Sequence, residues 1–230
     1  MTRKRIGLAV TCATMLILGV GVAHAFEADF DPSIYNPDVG EIVNFAACES
    51  CLGGSGDFQY AWDFDADGVD EIESADSLVT HAFPEAGYYE VTLSVTDAGG
   101  RATTCRKGIV VGRLPAFAVR EVMPQSDGTI LVLLTVRVLE DCSAIGFQES
   151  MPQGWQLEVV DAGGAFAYPN PATKTLEALW GSQFAEGDMV TFTYRLHPAY
   201  SASLQRLSGD VSGYTEAGRF LGKIGGELGT

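Results

Sequence analysis

Six acidic side chains crowd one short stretch of this sequence, Asp63, Asp65, Asp67, Asp70, Glu71 and Glu73, with no Lys or Arg between Asp57 and Asp76. Unit charges about 4 Å apart in water repel by about 1 kcal/mol, so such a stretch either spreads into solvent or gathers round a cation. Asp63-x-Asp65-x-Asp67-Gly68 is how an oxygen-rich calcium loop begins, with glycine sixth where the chain must turn sharply. The twelfth position is Ser74 rather than Glu and the flanks read as strands, which excludes EF-hand geometry. Two readings stay open. One is calcium held in another geometry by some of Asp65, Asp67, Asp70 and Glu71; the other is a solvated acidic loop that keeps the protein soluble. Asp63 is equally suited to accepting backbone amides.

Thiols are the second candidate chemistry. Cys12 lies in the leader described below, leaving Cys48, Cys51, Cys105 and Cys142, an even number suited to disulfides in an oxidising compartment. Cys48-Glu49-Ser50-Cys51 has redox-motif spacing, but that chemistry needs a helix after the first Cys, and Gly53-Gly54-Ser55-Gly56 ends any helix there. Zinc is disfavoured because Cys105 and Cys142 lack paired short spacing. Structural disulfides are expected, first between Cys105 and one member of the Cys48/Cys51 pair, with the pairing of the remainder open.

Catalytic signatures are missing. His81 and His197 stand in no nucleophile elbow and no His-Glu-x-x-His helix. His81 reads as a structural histidine with a satisfied buried hydrogen bond. Trp155, Trp180, Tyr194 and Tyr200 invite a sugar-stacking reading, yet their turn and alternating-strand settings favour core or core-edge packing. The chain is therefore expected not to be an enzyme, and no ligand-binding residues are assigned.

The elements that must position these groups are strands. Tyr88 to Thr96 and Thr129 to Val138 alternate with period two. Turn signals such as Asn36-Pro37, Asp67-Gly68, Asp127-Gly128 and Gly163-Gly164 separate such runs. Short strands between glycine-rich turns predict an all-β chain of two consecutive immunoglobulin-like sandwiches, at 26–112 and 113–230. Before them, Arg3-Lys4-Arg5, the apolar run from Ile6 to Val22 and Ala23-His24-Ala25 form a signal peptide over 1–25, cut before Phe26. No later apolar run supplies a membrane span. A secreted, extracellular or periplasmic protein follows.

Charge narrows the partners. The chain carries 14 Lys and Arg against 30 Asp and Glu, a formal −16, which argues against nucleic acid and anionic membrane surfaces. The two halves differ: 26–112 holds 17 acids and 3 bases, whereas 113–230 holds 13 and 8.

Tyr60-Ala61-Trp62-Asp63-Phe64-Asp65-Ala66-Asp67-Gly68, then His81-Ala82-Phe83-Pro84 with Gly87, then Val91-Thr92-Leu93-Ser94-Val95-Thr96-Asp97 resemble, in order and spacing, the PKD domain, an immunoglobulin-like sandwich. The acid crowding departs from the family's turn. In the second half, the long strand at 129–138, Glu149-Ser150-Met151-Pro152-Gln153-Gly154-Trp155, Leu179-Trp180 and Val190-Thr191-Phe192-Thr193-Tyr194 look like an immunoglobulin-like or cohesin-like repeat of secreted prokaryotic surface proteins. Gly213 through Gly226 would be its closing strand. These resemblances imply a non-catalytic binding or adhesion protein acting on extracellular polysaccharide or protein. The alternative is a structural subunit or spacer capable of self-association, and a small hydrolase ranks last.

Overall fold

The structure is a computed structural model, described for residues 26–53, 56–199 and 206–228. The expected signal peptide and Tyr200 lie outside these residues. Among the described residues no helix is long and apolar enough to cross a membrane.

The first sandwich packs a three-stranded sheet, β1 (Phe30–Pro32), β2 (Ile42–Ala47) and β5 (Leu78–Ala82), in the order β1-β2-β5. Its partner sheet holds β3 (Phe58–Asp63), β4 (Ile72–Ser74), β6 (Gly87–Asp97) and β7 (Ala102–Val111), with β3 between β4 and β6, and β7 beyond β6. Period-two alternation sends Tyr60 and Trp62 inward from β3, and Val91, Leu93 and Val95 inward from β6. Trp62 meets Phe30 edge-on at 5.2 Å and tilts against Phe45 at 5.8 Å, which ties the two sheets together.

The second core lies between two larger sheets. One runs β11 (Trp155–Asp161), β14 (Met189–Pro198), β9 (Ile130–Val138), β8 (Ala116–Pro124). The other runs β12 (Phe166–Asn170), β13 (Thr175–Trp180), β10 (Ala144–Ser150), β15 (Gly209–Thr215), β16 (Gly218–Glu227). Val132, Leu134 and Val136 from one face meet Ile145, Phe147 and Val211 from the other. Where one closing strand was expected, the chain forms a hairpin of two, β15 and β16, turning at Glu216-Ala217.

β16 belongs to both sheets. Residues 218–223 pair with β15, whereas Ile224 to Gly226 run parallel to β8, and Gly226 and Glu227 pair antiparallel with β7 of the first sandwich. One hydrogen-bonded sheet therefore passes from the first core to the second. Only glycine suits this crossing: Gly226 has φ +84°, and a Cβ there would sit 2.2 Å from the Arg120 carbonyl oxygen.

Candidate functional site

The acidic loop leaves β3 at Asp63 and enters β4 at Ile72. Asp63 is buried, and its carboxylate accepts backbone N–H groups from Asp65, Ala66 and Gly68 at 3.2, 2.7 and 3.0 Å. It thereby wraps the chain round itself. Asp65 and Asp67 each accept the N–H two residues on, and Glu71 reaches back to the Phe64 N–H at 2.7 Å. These donors offset much of the repulsion between the carboxylates. Carboxylate oxygens of Asp63, Asp65, Asp67 and Glu71 lie within 4.8 Å of one another. Three of the expected calcium ligands thus meet; Asp70 is not in the group and Asp63 takes its place. An all-oxygen donor set of this kind suits a hard cation such as calcium.

His81 stands beneath this loop. Its ring stacks on Phe64 at 4.0 Å and 5° and meets Phe83 edge-on. Burial lowers its pKa, against the opposing pull of Glu71 and Asp65. Its side chain packs through these ring contacts, and among the described residues the buried hydrogen bond expected of it is not formed.

The thiols depart from expectation. Cys48 and Cys51 are bonded to each other across a 3-10 turn, Glu49–Leu52, with Cα atoms 5.4 Å apart, while Cys105 and Cys142 are free. The turn ends on left-handed Gly53 and brings the near neighbours together. Cys105 instead lies on β7 opposite Leu93, and Cys142 is in the second core. Burial, reinforced by Asp29, pushes the Cys105 thiol up to about 12.

Of the aromatic residues singled out for sugar stacking, Trp180 and Tyr194 are buried in the second core and Trp155 packs against it. The indole N–H of Trp180 donates to the Gly163 carbonyl at 2.9 Å. Tyr194 donates to Glu149, which also receives the Arg120 guanidinium.

The exposed rings are others. Phe166 is 81% exposed, Tyr168 61% and Tyr214 53%, all on the outer face of the β12-β13-β10-β15-β16 sheet. Strand register lines up two rows across it. Phe166, Leu179, Gly146, Ser212 and Leu221 form one; Tyr168, Glu177, Gln148, Asp210 and Lys223 form the next. A shallow depression of about 230 Å³ opens beside the second row, reaching Ser150, Thr175 and Ser208. Phe166-Ala167-Tyr168 carries the period-two signal that would have revealed both rings on one face, and Leu179 must point outward once Trp180 points inward.

A polar junction joins the two sandwiches. Lys107 on β7, 4% exposed, contacts Asp29 at 2.9 Å, Glu227 at 3.5 Å and Asp31 at 3.7 Å. Burial lowers its pKa, but Tyr35, Asp29 and Glu227 outweigh this and the net direction is upward. Arg120 donates to the Glu227 carbonyl at 2.9 Å, and Glu90 pairs with Arg206.

Paired β-sheets packed round two cores define a β-sandwich module protein. Residues 30–111 match the family model of the PKD domain, and this segment is a PKD domain. No curated protein matches the chain. Similar solved structures include carbohydrate-binding modules of the β-sandwich superfamily, at 15% identity and TM-score 0.35, covering 86% of this chain and 94% of theirs. The full-length major pilin SpaD of Corynebacterium diphtheriae matches at 10% and TM-score 0.41, over 78% of this chain and 60% of the pilin. Chitinase ChiA74 of Bacillus thuringiensis matches at 9% and TM-score 0.40, over 80% of this chain and 28% of the enzyme.

Proposed function

We propose that this is an exported, non-catalytic binding protein that attaches to extracellular polysaccharide or protein, with the PKD domain as its rigid support. The observation that carries this reading is the open face of the second sandwich, where Phe166, Tyr168, Leu179, Tyr214 and Leu221 are all exposed. Soluble proteins seldom leave such apolar groups clustered on one face without use for them. Sedimentation of the chain from Phe26 onward with polysaccharides and cell-wall fractions tests the reading. Saturable binding is expected, and its absence from every fraction would remove it.

A spacer or structural subunit is the second reading, favoured by the sheet that β16 carries from one core to the other. Concentration-dependent light scattering without ligand would support it over the first. We also assign calcium to Asp63, Asp65, Asp67 and Glu71 as a stabiliser of the loop. Chelator is expected to lower the melting temperature, and Asp65→Asn with Asp67→Asn to abolish that response. An unchanged melt leaves a solvated acidic loop.

A further inference from the structure

We propose that the outer face of the β12-β13-β10-β15-β16 sheet binds a neutral polysaccharide chain lying across the strands; this rests on the binding reading above and names its ligand. The two rows differ in chemistry. The first offers Phe166, Leu179 and Leu221, with Ser212 and a buried Gly146, over which Leu179 lies, between the two leucines. The second offers Glu177, Gln148, Asp210 and Lys223, ending at Tyr168.

A pyranose ring has the same division, a C–H face that stacks on apolar and aromatic groups and an edge of hydroxyls that both donate and accept. Carboxylate and amide oxygens at Glu177, Gln148 and Asp210 accept from such hydroxyls; the Gln148 amide and Lys223 ammonium donate to them. Thr175 and Ser150 extend the polar edge into the depression beside it. A protein partner would instead call for a contiguous apolar centre ringed by polar groups, and here apolar and polar side chains run in parallel stripes.

Charge selects the kind of glycan. Asp210 and Lys223 pair at 2.7 Å and cancel, leaving Glu177 as the net charge of the two rows. On a chain of formal charge −16, uronate or sulfate polymers are repelled. Length follows from strand spacing: five strands at about 4.8 Å span about 19 Å between Phe166 and Leu221, room for about four sugar rings.

The test is calorimetric titration with cello-, xylo-, manno- and chito-oligosaccharides of two to six units, with polygalacturonate as the anionic arm. Affinity for at least one neutral series should rise to about four units and then level off, with polygalacturonate silent. Phe166→Ala with Tyr168→Ala should weaken it at least about tenfold, and Gln148→Ala should weaken it independently, with melting temperatures unchanged because these side chains are exposed. Neutral-glycan binding that survives the ring substitutions would overturn the site while leaving the binding reading intact. Binding of polygalacturonate alone, or of a wall protein with every glycan silent, would overturn the ligand class. Silence toward glycans and wall fractions alike would remove both.

Discussion

At the scale of single residues, His81 is the most informative titrating group. Burial against Phe64 holds its folded pKa below the ordinary 6.5, so an unfolded chain takes up the proton first. Stability is then retained above that value and lost as pH falls below it. Thermal melts should decline from pH 7 to 5, and His81→Phe, which preserves the stack without the proton, should flatten that decline. An identical slope in both proteins would show that the histidine is not responsible. The cysteines give a second expectation. Alkylation of the unreduced protein should label neither Cys105 nor Cys142 rapidly while folded, since the Cys105 thiol is raised to about 12 and Cys142 is buried. After denaturation without reduction, both should label and Cys48 and Cys51 should not. Labelled Cys48 would break the assignment. The even cysteine count was legible in the sequence; the pairing was not, because it depends on which thiols the sheets bring within reach. The same limit explains the acidic loop. Spacing identified the loop, but that Asp63 rather than Asp70 joins Asp65, Asp67 and Glu71 depends on how the backbone wraps round a buried carboxylate.

Among the elements, strands with clean alternation were the readable ones. Val91, Leu93 and Val95 point into the core as their spacing demands, and Thr129 to Val138 became β9 with little change at its ends. The hairpin of β15 and β16 was less legible because glycines at 213, 218, 222, 225 and 226 dilute the period-two pattern. Gly213, Gly225 and Gly226 answer to close approach of another backbone, Gly222 to the Leu114 side chain and Gly218 to a positive φ at the turn, which only the assembled structure shows. Gly226 is the sharpest case. Gly226→Ala should cost at least about 2 kcal/mol through its positive φ and the clash with the Arg120 carbonyl. The loss should appear locally, as faster amide exchange along β7 and β8. Unchanged exchange there would mean that the β16 crossing does not hold the sheets together.

For the whole molecule, the shared sheet and the Lys107 cluster predict that the two cores unfold together. Calorimetry should show one transition. Lys107→Met leaves Asp29, Asp31 and Glu227 crowded without their cation, and should destabilise by about 2–3 kcal/mol, below the range for fully buried pairs because the carboxylates are partly exposed. It should also separate the single transition into two. Two transitions in the unaltered protein would show the junction to be weaker than its contacts imply. The difference in charge between halves, visible in composition, gave no hint of this union, because the cation that anchors it comes from the acidic half and one of its carboxylates from the other.

The position of β16 also sets an order of events. A chain made from its N-terminus completes all the strands of the PKD domain long before residues 224–227 exist, so the part of the β7 edge that β16 will cover waits with unpaired amides and carbonyls. Pairing at such sequence separation is slow to form. During that interval a second nascent copy presents the same open edge, and exchange of the β16 strand between two molecules competes with closure within one. Dilution during refolding should therefore favour the monomer.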